Sequence, residues 1–314
     1  DWQRLIGELH SPNKHRRTRA QHALAHLLKD SGGRPVENGV PLNQEPLIVE
    51  TLTGLLKDSL ANPSEDEDKI GNEEFLARTL SSLDADDKVL PVLAEAVDAK
   101  HNIEVRKSAL MAVAMISGRH FEQRTAFEAT SNGSLELATA LPKGVPLPEQ
   151  TISDEALLQQ LIASSQDPDP VVRHLAVFCF GNVSGETGIH QLKLALGDGD
   201  EKVRANAITG LARNGSADGI AELIALLESA NDKFDPATSG GTTPEEVEQK
   251  RQEFLVERTK MISNLLRATA DLWPAISESD RARLTEVLKS IAEANFDQHV
   301  RSVASLLLKQ IESA

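Results

Sequence analysis

The chain has 314 residues, of which 40% are hydrophobic and only 3% aromatic, and its formal net charge at pH 7 is −15. A nucleic-acid-binding protein needs a positive surface that displaces counterions from phosphates, so this charge argues against DNA or RNA as a partner. A single cysteine excludes an intrachain disulfide, and no apolar run approaches the length needed to span a bilayer.

The sequence begins at Asp1 rather than at a methionine. We therefore expect a segment cut from a longer protein, in which any signal peptide or membrane anchor would precede Asp1. Membrane contact is expected only through such a segment, and the sequence leaves the cellular compartment open.

Helical periodicity predicts seven pairs of helices along the chain. In chain order the predicted pairs are 1–10 with 12–29, 44–61 with 72–84, 87–99 with 103–117, 153–166 with 170–184, 186–197 with 200–213, 217–229 with 244–272, and 279–294 with 297–312. Stretches rich in Gly and Pro, or in acidic residues, predict inserts at about 31–43, 62–71, 118–150 and 231–243. Because stacked helix pairs grow in one dimension, we interpret residues 1–314 as one continuous domain.

The clearest internal repeat is the phrase Asp-Pro-Asp-Pro-Val-Val-Arg-His-Leu-Ala at 167–176, echoed by Asp-Gly-Asp-Glu-Lys-Val-Arg-Ala-Asn-Ala at 198–207. In each copy Asp169 or Asp200 precedes a helical run, where its side chain can cap free helix amides. An Arg-x-x-Ala core recurs along the chain at Arg17, Arg106, Arg173, Arg204 and Arg301, with weaker echoes at Arg78 and Arg258. Self-similarity at this period is typical of a solenoid.

The Asp-Pro-Asp-Pro-x-Val-Arg-x-x-Ala pattern resembles the HEAT repeat, in the short bacterial form of phycobilisome-lyase-like proteins. The resemblance implies an all-α, right-handed α-solenoid of about seven HEAT repeats, with the second helix of each pair on the concave side. It also implies that the repeat arginines form a hydrogen-bonded ladder between repeats together with Asp169 and Asp200. The resemblance implies no particular function, because the fold hosts adaptors, scaffolds and a few enzymes.

A search for catalytic motifs is negative. No His is followed by Glu, although His-Glu pairs hold the two irons of some HEAT-fold hydroxylases, and no Gly-x-Ser-x-Gly motif, phosphate-binding Gly loop or Cys-His pair occurs. Cys179 lies at helical spacing with apolar neighbours, which predicts a small buried hydrophobe. The sequence therefore predicts no catalytic residue, no metal site and no cofactor.

A basic stretch near the beginning of the chain is the first candidate binding site. On a helix, His15, Arg19, His22, His26 and Lys29 fall on one arc, opposite Ala20, Leu24 and Leu27. Protonation of the histidines would add positive charge, so the arc favours acidic partners or anionic membrane surfaces. The alternatives are a solvated face of a terminal helix and, at the i, i+4 pair His22 and His26, a zinc ion.

The second candidate site follows from register. The residues five positions after the repeat arginines are His22, Met111, Phe178, Thr209 and Leu306. This position lies off the core-facing stripe and is expected to point toward the concave side. Two helices are apolar nearly all round, at 108–116 and 175–180, so their exposed face must be covered. We expect the insert at 118–150 to cover Met111, Met115 and Phe178 with Leu135, Leu137 or Leu141; the alternative is an exposed patch that binds a partner.

The sequence is best interpreted as a protein-binding scaffold or adaptor without catalysis, whose protein partner binds the concave face. The alternative is a HEAT-fold enzyme or lyase-like small-molecule-binding protein in which the insert at 118–150 is a lid. A deep pocket with converging polar groups would favour the enzyme, and a shallow open face would favour the scaffold.

Overall fold

The computed structural model describes residues 2–31, 39–125, 136–138 and 150–313. Within these residues it contains fourteen α-helices and no β-strand. The helices are α1 (Trp2–Leu9), α2 (Lys14–Ser31), α3 (Pro46–Leu60), α4 (Glu67–Leu80), α5 (Asp86–Val97), α6 (Ile103–Thr125), α7 (Glu155–Ser164), α8 (Pro170–Val183), α9 (Gly185–Ala195), α10 (Glu201–Arg213), α11 (Ile220–Glu228), α12 (Pro244–Leu272), α13 (Glu278–Ala294) and α14 (Gln298–Ser313). The predicted all-α repeat fold is confirmed, and the predicted pairs correspond to α1 with α2 through α13 with α14.

Two predicted insert boundaries are wrong. The acidic stretch around residue 66 starts α4 at Glu67 instead of forming a loop to 71, because the Asp66 carboxylate accepts hydrogen bonds from the amides of Asp68 and Lys69. At the next insert, α6 continues to Thr125, well past the predicted end at 117. The helix after the last insert begins as predicted, since Thr243 and Glu246 form a reciprocal capping box at the start of α12.

Contacts between Cα atoms divide the chain into two compact units. Unit 1 comprises Asp1–His120 and Ile152–Cys179, and unit 2 comprises Phe121–Thr151 and Phe180–Ala314. The interpretation of residues 1–314 as one continuous domain therefore stays a prediction. None of the described helices combines the length and the apolar character needed to cross a membrane.

Unit 1 is a stack of helix pairs in which the first helices pack on one another. Helix α3 packs against α5, and α5 packs against α7, while α1 packs with α2 and α3 with α4. The interior is mainly leucine and isoleucine without exposed surface, including Leu24, Ile48, Leu52, Leu56, Leu76 and Leu93. Each pair thus buries its apolar face on its neighbour, as expected of repeats.

Unit 2 is also built from helix pairs, but here the second helices of the pairs pack on one another. Helix α12 packs against both α10 and α14, and α11 packs against α13. The core contains a large cluster that includes Ile208, Ile262, Leu265, Leu284 and Leu307. At one point the backbones of α8 and α10 come very close, because a Cβ added to Gly181 would lie 3.1 Å from the Cα of Gly210. Two glycines at this crossing allow the helices to approach.

The repeat arginines hold the turns that precede their own helices. Arg173 Nη1 donates to the carbonyls of Asp167 at 2.9 Å and Pro168 at 3.2 Å, and Arg204 Nη1 donates in the same way to Asp198 and Gly199. The pattern recurs at the two ends of the chain, where Arg17 contacts the carbonyls of Ser11 and Pro12, and Arg301 contacts that of Asn295. These bonds satisfy turn carbonyls that would otherwise lack donors.

Other groups on two repeat arginines make bonds beyond the preceding turn, within the helix pair or to the next repeat. Buried Arg106 donates from Nε to the Val97 carbonyl and from Nη2 to the Asp167 carboxylate at 2.6 Å, and Arg204 Nε reaches Glu222 at 2.6 Å. Asp169 and Asp200 cap α8 and α10 by accepting bonds from amides two and three residues ahead. An arginine–aspartate ladder that includes both aspartates thus stays a proposal.

Candidate functional site

The position five residues after each repeat arginine faces solvent. Met111 is 48% exposed, Phe178 is 42% exposed and Leu306 is 43% exposed, while His22 is also exposed and Thr209 is half-buried. In unit 1 the position is filled by His22 on α2, Met111 on α6 and Phe178 on α8. Large apolar side chains at a solvent-facing position need an explanation other than core packing.

Helix α4 contributes a residue to the same position that the sequence analysis missed. Because α4 begins at Glu67, its fourth residue is Ile70, which takes the place of the arginine, and the residue five positions later is Phe75. The rings of Phe75 and His22 are 4.7 Å apart with an interplanar angle of 59°. This contact places Phe75 beside His22, the first of the positions that follow a repeat arginine by five residues. The register of α4 is therefore not set by Arg78, the weaker echo of the Arg-x-x-Ala motif.

The exposed apolar residues on α6 and α8 are neighbours through their backbones. Cys179 Sγ lies 3.4 Å from the carbonyl oxygen of Leu110, so the residues directly before and after this pair, Phe178 and Met111, lie on adjacent helices. One turn after Met111, Met115 is 57% exposed, and its sulfur accepts a hydrogen bond from Ser81 Oγ at 3.5 Å. Together Phe75, Met111, Met115 and Phe178 form what we call the apolar face of unit 1.

The insert does not cover this face with Leu137, contrary to expectation. Leu137 packs against the core cluster of unit 2, and the backbone amide of Ala138 donates to the Ala270 carbonyl at 3.1 Å. The physical reason is that Leu137 gains stability by burying its side chain against this core, where the neighbouring backbone is also held. Leu135 and Leu141, the other two candidates for covering the face, lie outside the described residues. Met111 and Phe178 remain exposed, which is the alternative that favours a partner.

All five residues of the basic arc on α2 are exposed: His15, Arg19, His22, His26 and Lys29. The buried side of the helix is made by Ala20, Leu24 and Leu28, so Leu28 replaces the predicted Leu27, which is only half-buried. His26 Nδ1 lies 2.8 Å from the Asp30 carboxylate. No cluster of three or more potential metal ligands occurs in the described part of the chain.

Several charges near the apolar face are already paired. Lys107 contacts Glu104 at 3.2 Å and Asp169 at 3.8 Å, and Arg78 contacts Glu74 at 3.1 Å. Arg119 donates to the carbonyls of Ser81 and Leu83, which ties α6 to the turn after α4. Arg19 and Lys29 of the basic arc have no ion-pair partner within the described ranges. They are therefore the cations that remain available to an incoming group.

An open cavity of about 340 Å³ in unit 2 is the candidate for a small-molecule site. Its apolar part is formed by Phe234, Phe254 and Met261, and the two phenylalanine rings are 5.6 Å apart. Its charged groups already bind one another, since both carboxylate oxygens of Glu201 accept bonds from Arg258, and Lys202 contacts Glu257. The cavity therefore resembles a packed junction between a loop and a helix more than a set of groups that await a substrate.

One part of the chain matches a known family of repeats. The sequence model of the family described as HEAT repeats matches residues 155–236. A comparison with curated proteins finds no match. The matched residues include both copies of the internal repeat, at 167–176 and 198–207.

Solved structures similar to this chain include designed repeat proteins and an enzyme. A designed armadillo repeat protein in complex with the peptide (KR)4 is 16% identical, with 99% of each chain covered and a TM-score of 0.40. An engineered protein is 18% identical, covering 100% of this chain and 68% of its own, with a TM-score of 0.42. Human deoxyhypusine hydroxylase in complex with glycerol is 16% identical, with 100% and 96% covered and a TM-score of 0.28. At these values the similarities carry no argument about the site.

Proposed function

We propose that this HEAT-repeat protein is a scaffold that binds a protein partner through the apolar face of unit 1. The observation that carries the proposal is the exposure of Met111, Met115 and Phe178 on two neighbouring helices. Soluble proteins rarely expose several large apolar side chains together unless another surface covers them. A protein partner would supply that cover.

The chemistry of the face suits a protein surface. Burial of one large apolar side chain contributes about 1.5–3 kcal/mol, so a partner that covers three of them gains a substantial part of a typical binding free energy. Methionine is flexible and polarizable, which lets the surface adapt to the shape of a partner. The face also stands on α6 and α8, whose other sides are buried, so its side chains are presented by a rigid support.

The proposal is tested by capturing partners from the source organism with three forms of the chain. The first is the wild type, and the second is the double variant Met111→Asp/Phe178→Asp, which places charges on the apolar face. The third is the control Leu194→Asp, which changes an apolar residue of unit 2 that is also strongly exposed, at 57%. Because all three positions are exposed, circular dichroism and melting temperature should stay close to those of the wild type.

We expect at least one protein to be captured by the wild type and the control but not by the double variant. Cross-linking of that protein to a photoreactive group at position 115 should then locate the contact. The proposal is wrong if the same proteins are captured by all three forms, or if nothing is captured by any of them.

A further inference from the structure

We infer that the partner segment bound by unit 1 is acidic at one end and carries large apolar residues at the other. The inference rests on the proposed function and adds the chemistry of the partner. It follows because the apolar face of unit 1 continues directly into the basic arc of α2. From the sequence alone, the face and the arc are predicted as two separate sites.

The continuity is carried by contacts between α2 and α4. The His22 ring packs on Phe75 at 4.7 Å, and Gln21 Nε2 donates to Asn72 Oδ1 at 2.6 Å. Next along the row, Ser81 at the end of α4 bonds to Met115 of α6, and α6 is joined to α8 by the contact of Cys179 with Leu110. A segment that crosses the four helices therefore meets His22, Phe75, Met111 and Phe178 in turn.

At the α2 end the local charge is positive although the whole chain carries −15. Arg19 and Lys29 lie three residues before and seven after His22, on the same side of the helix, and have no ion-pair partner in the described part of unit 1. Two acids beside α2 are already engaged, since Asp30 contacts His26 and Asp68 contacts Lys14. Carboxylates on a partner would complement this charge, which contributes to orientation and to specificity.

At the other end the face is apolar, and its charged neighbour is neutralised. Lys107, one turn before Met111, is already paired with Glu104 and Asp169. A partner residue that reaches Met111 and Phe178 would therefore gain from burying apolar surface, whereas a carboxylate there would lose its water without finding a free cation. The two ends of the row thus select different residue types.

The expected length of the segment follows from helix spacing. Packed helices lie about 8–10 Å apart, so a row over four of them spans roughly 25–30 Å. An extended chain covers about 3.3 Å per residue, so about nine residues suffice. We expect acidic residues over the first third of such a segment and large apolar residues over the remainder.

An anionic membrane surface is the other occupant that would suit basic and apolar side chains together. The net charge of −15 argues against it, because the rest of the chain would be repelled by anionic lipids. We therefore assign the surface to a protein segment and include vesicles in the test.

The test is a selection of random twelve-residue peptides displayed on phage, carried out on the full chain. Three variants are compared with the wild type: Arg19→Glu/Lys29→Glu, the control Lys233→Glu/Lys260→Glu in unit 2, and Met111→Asp/Phe178→Asp. The first two change the net charge equally, and the controls are exposed lysines outside the basic arc. An effect of total charge on peptide binding would therefore appear in both variants. Any larger loss of binding in Arg19→Glu/Lys29→Glu is due to the basic arc.

We expect the wild type to enrich peptides with Asp or Glu at one end and Leu, Phe or Trp at the other. Affinity for such a peptide, measured by fluorescence anisotropy, should fall at least about tenfold in Arg19→Glu/Lys29→Glu and stay within about twofold in the control, where tenfold corresponds to about 1.4 kcal/mol. Peptides that contain only the apolar part should bind both forms equally, which also shows that the variant is folded.

The test distinguishes a failure of this inference from a failure of the proposed function. Apolar peptides without an acidic end, bound through Met111 and Phe178, would overturn the inference and leave the proposed function standing. Enrichment that is unaffected by Met111→Asp/Phe178→Asp, or no enrichment at all, would overturn both. Co-sedimentation with phosphatidylserine vesicles that is lost in Arg19→Glu/Lys29→Glu would reassign the surface to a membrane.

Discussion

At the scale of single residues, one motif serves two structural purposes in this chain. Arg17, Arg173, Arg204 and Arg301 each hold the turn before their own helix, whereas Arg106 reaches a carboxylate 61 residues further along. The short-range bonds follow from the spacing within the motif and could be expected from the sequence. The bond from Arg106 to Asp167 could not, because it depends on how much chain lies between two stacked repeats.

The carboxyl group of Asp271 provides a prediction about pH. Burial raises its pKa above the ordinary value of 3.8, and nearby Arg267 opposes the shift only in part. Below pH 3.8 the group is protonated in both the folded and the unfolded state. As the pH rises from 3.8 toward the raised folded-state pKa, the unfolded state releases the proton first, so the folded state loses stability, and the loss is complete above that pKa. We therefore expect Asp271→Asn to unfold at higher urea concentration than the wild type at pH 7.

The advantage of Asp271→Asn should shrink as the pH falls toward 3.8. Asp232→Asn is the matched control, because it removes the same charge from an exposed position of unit 2. Urea titrations at several pH values measure both variants. An advantage of Asp271→Asn that is independent of pH, or equally large in the control, would contradict the assignment.

The thiol of Cys179 provides a prediction about accessibility. The residue has no exposed surface, as the sequence predicts, and burial raises the pKa of its thiol to about 12. Because the thiolate is the reactive form, iodoacetamide should not label the native protein at pH 8 but should label it rapidly in urea. Mass spectrometry follows the reaction. Labelling of the native protein at the rate of a free thiol would show that the contact between α6 and α8 opens readily.

At the scale of helices, periodicity predicted most of the fold, and its errors have specific causes. The α4 boundary was misplaced because an acidic run was interpreted as a solvated loop, although Asp66 caps the helix. The end of α6 was misplaced because the Gly- and Pro-rich insert was expected to begin at 118, while the helix continues to Thr125. In both cases a local sequence signal had two physical meanings, and packing decided between them.

The crossing of α8 and α10 leads to a prediction about stability. A Cβ at position 210 would lie 2.8 Å from Leu192 Cδ2 and 3.0 Å from the Cα of Gly181, so Gly210→Ala should destabilise the fold by about 1–3 kcal/mol. The control is Gly54→Ala in α3, where a Cβ meets nothing within 4 Å. There the change should stabilise by about 0.5–1 kcal/mol, because alanine favours helix more than glycine does.

Urea unfolding of the two alanine variants distinguishes crowding from helix propensity. If only propensity mattered, both substitutions would raise the unfolding midpoint. Equal effects at positions 54 and 210 would therefore show that the helices can separate slightly at no cost.

At the scale of the whole molecule, the sequence located the candidate site but not its full extent. Register along the repeats predicted that Met111 and Phe178 lie off the core-facing stripe, because that stripe is visible in the sequence of each helix. Phe75 was missed since its helix lacks the arginine that marks the register. The predicted position of Leu137 was wrong because an apolar residue in a long insert can be buried against any exposed edge of the core. The sequence does not specify which edge.

The division into two units leads to a last prediction, about how the molecule unfolds. In a stack of repeats each pair is stabilised mainly by its immediate neighbours, so a local loss of stability should spread only a short distance. Gly210→Ala weakens the crossing of α8 and α10, and the packing partners of α10 in unit 2 include α9, α11 and α12. We expect hydrogen exchange, followed by mass spectrometry of peptides, to become faster in α10 and these three partners in the variant. Exchange in α1 to α4 should stay at the wild-type rate, because these helices belong to the other compact unit. Gly54→Ala tests the reverse direction, since it should slow exchange in α3 and its neighbours and leave α10 unchanged. A uniform acceleration over all fourteen helices in Gly210→Ala would instead mean that the described chain opens only as one cooperative whole. That result would favour the continuous domain predicted from the sequence over two units with separate stabilities.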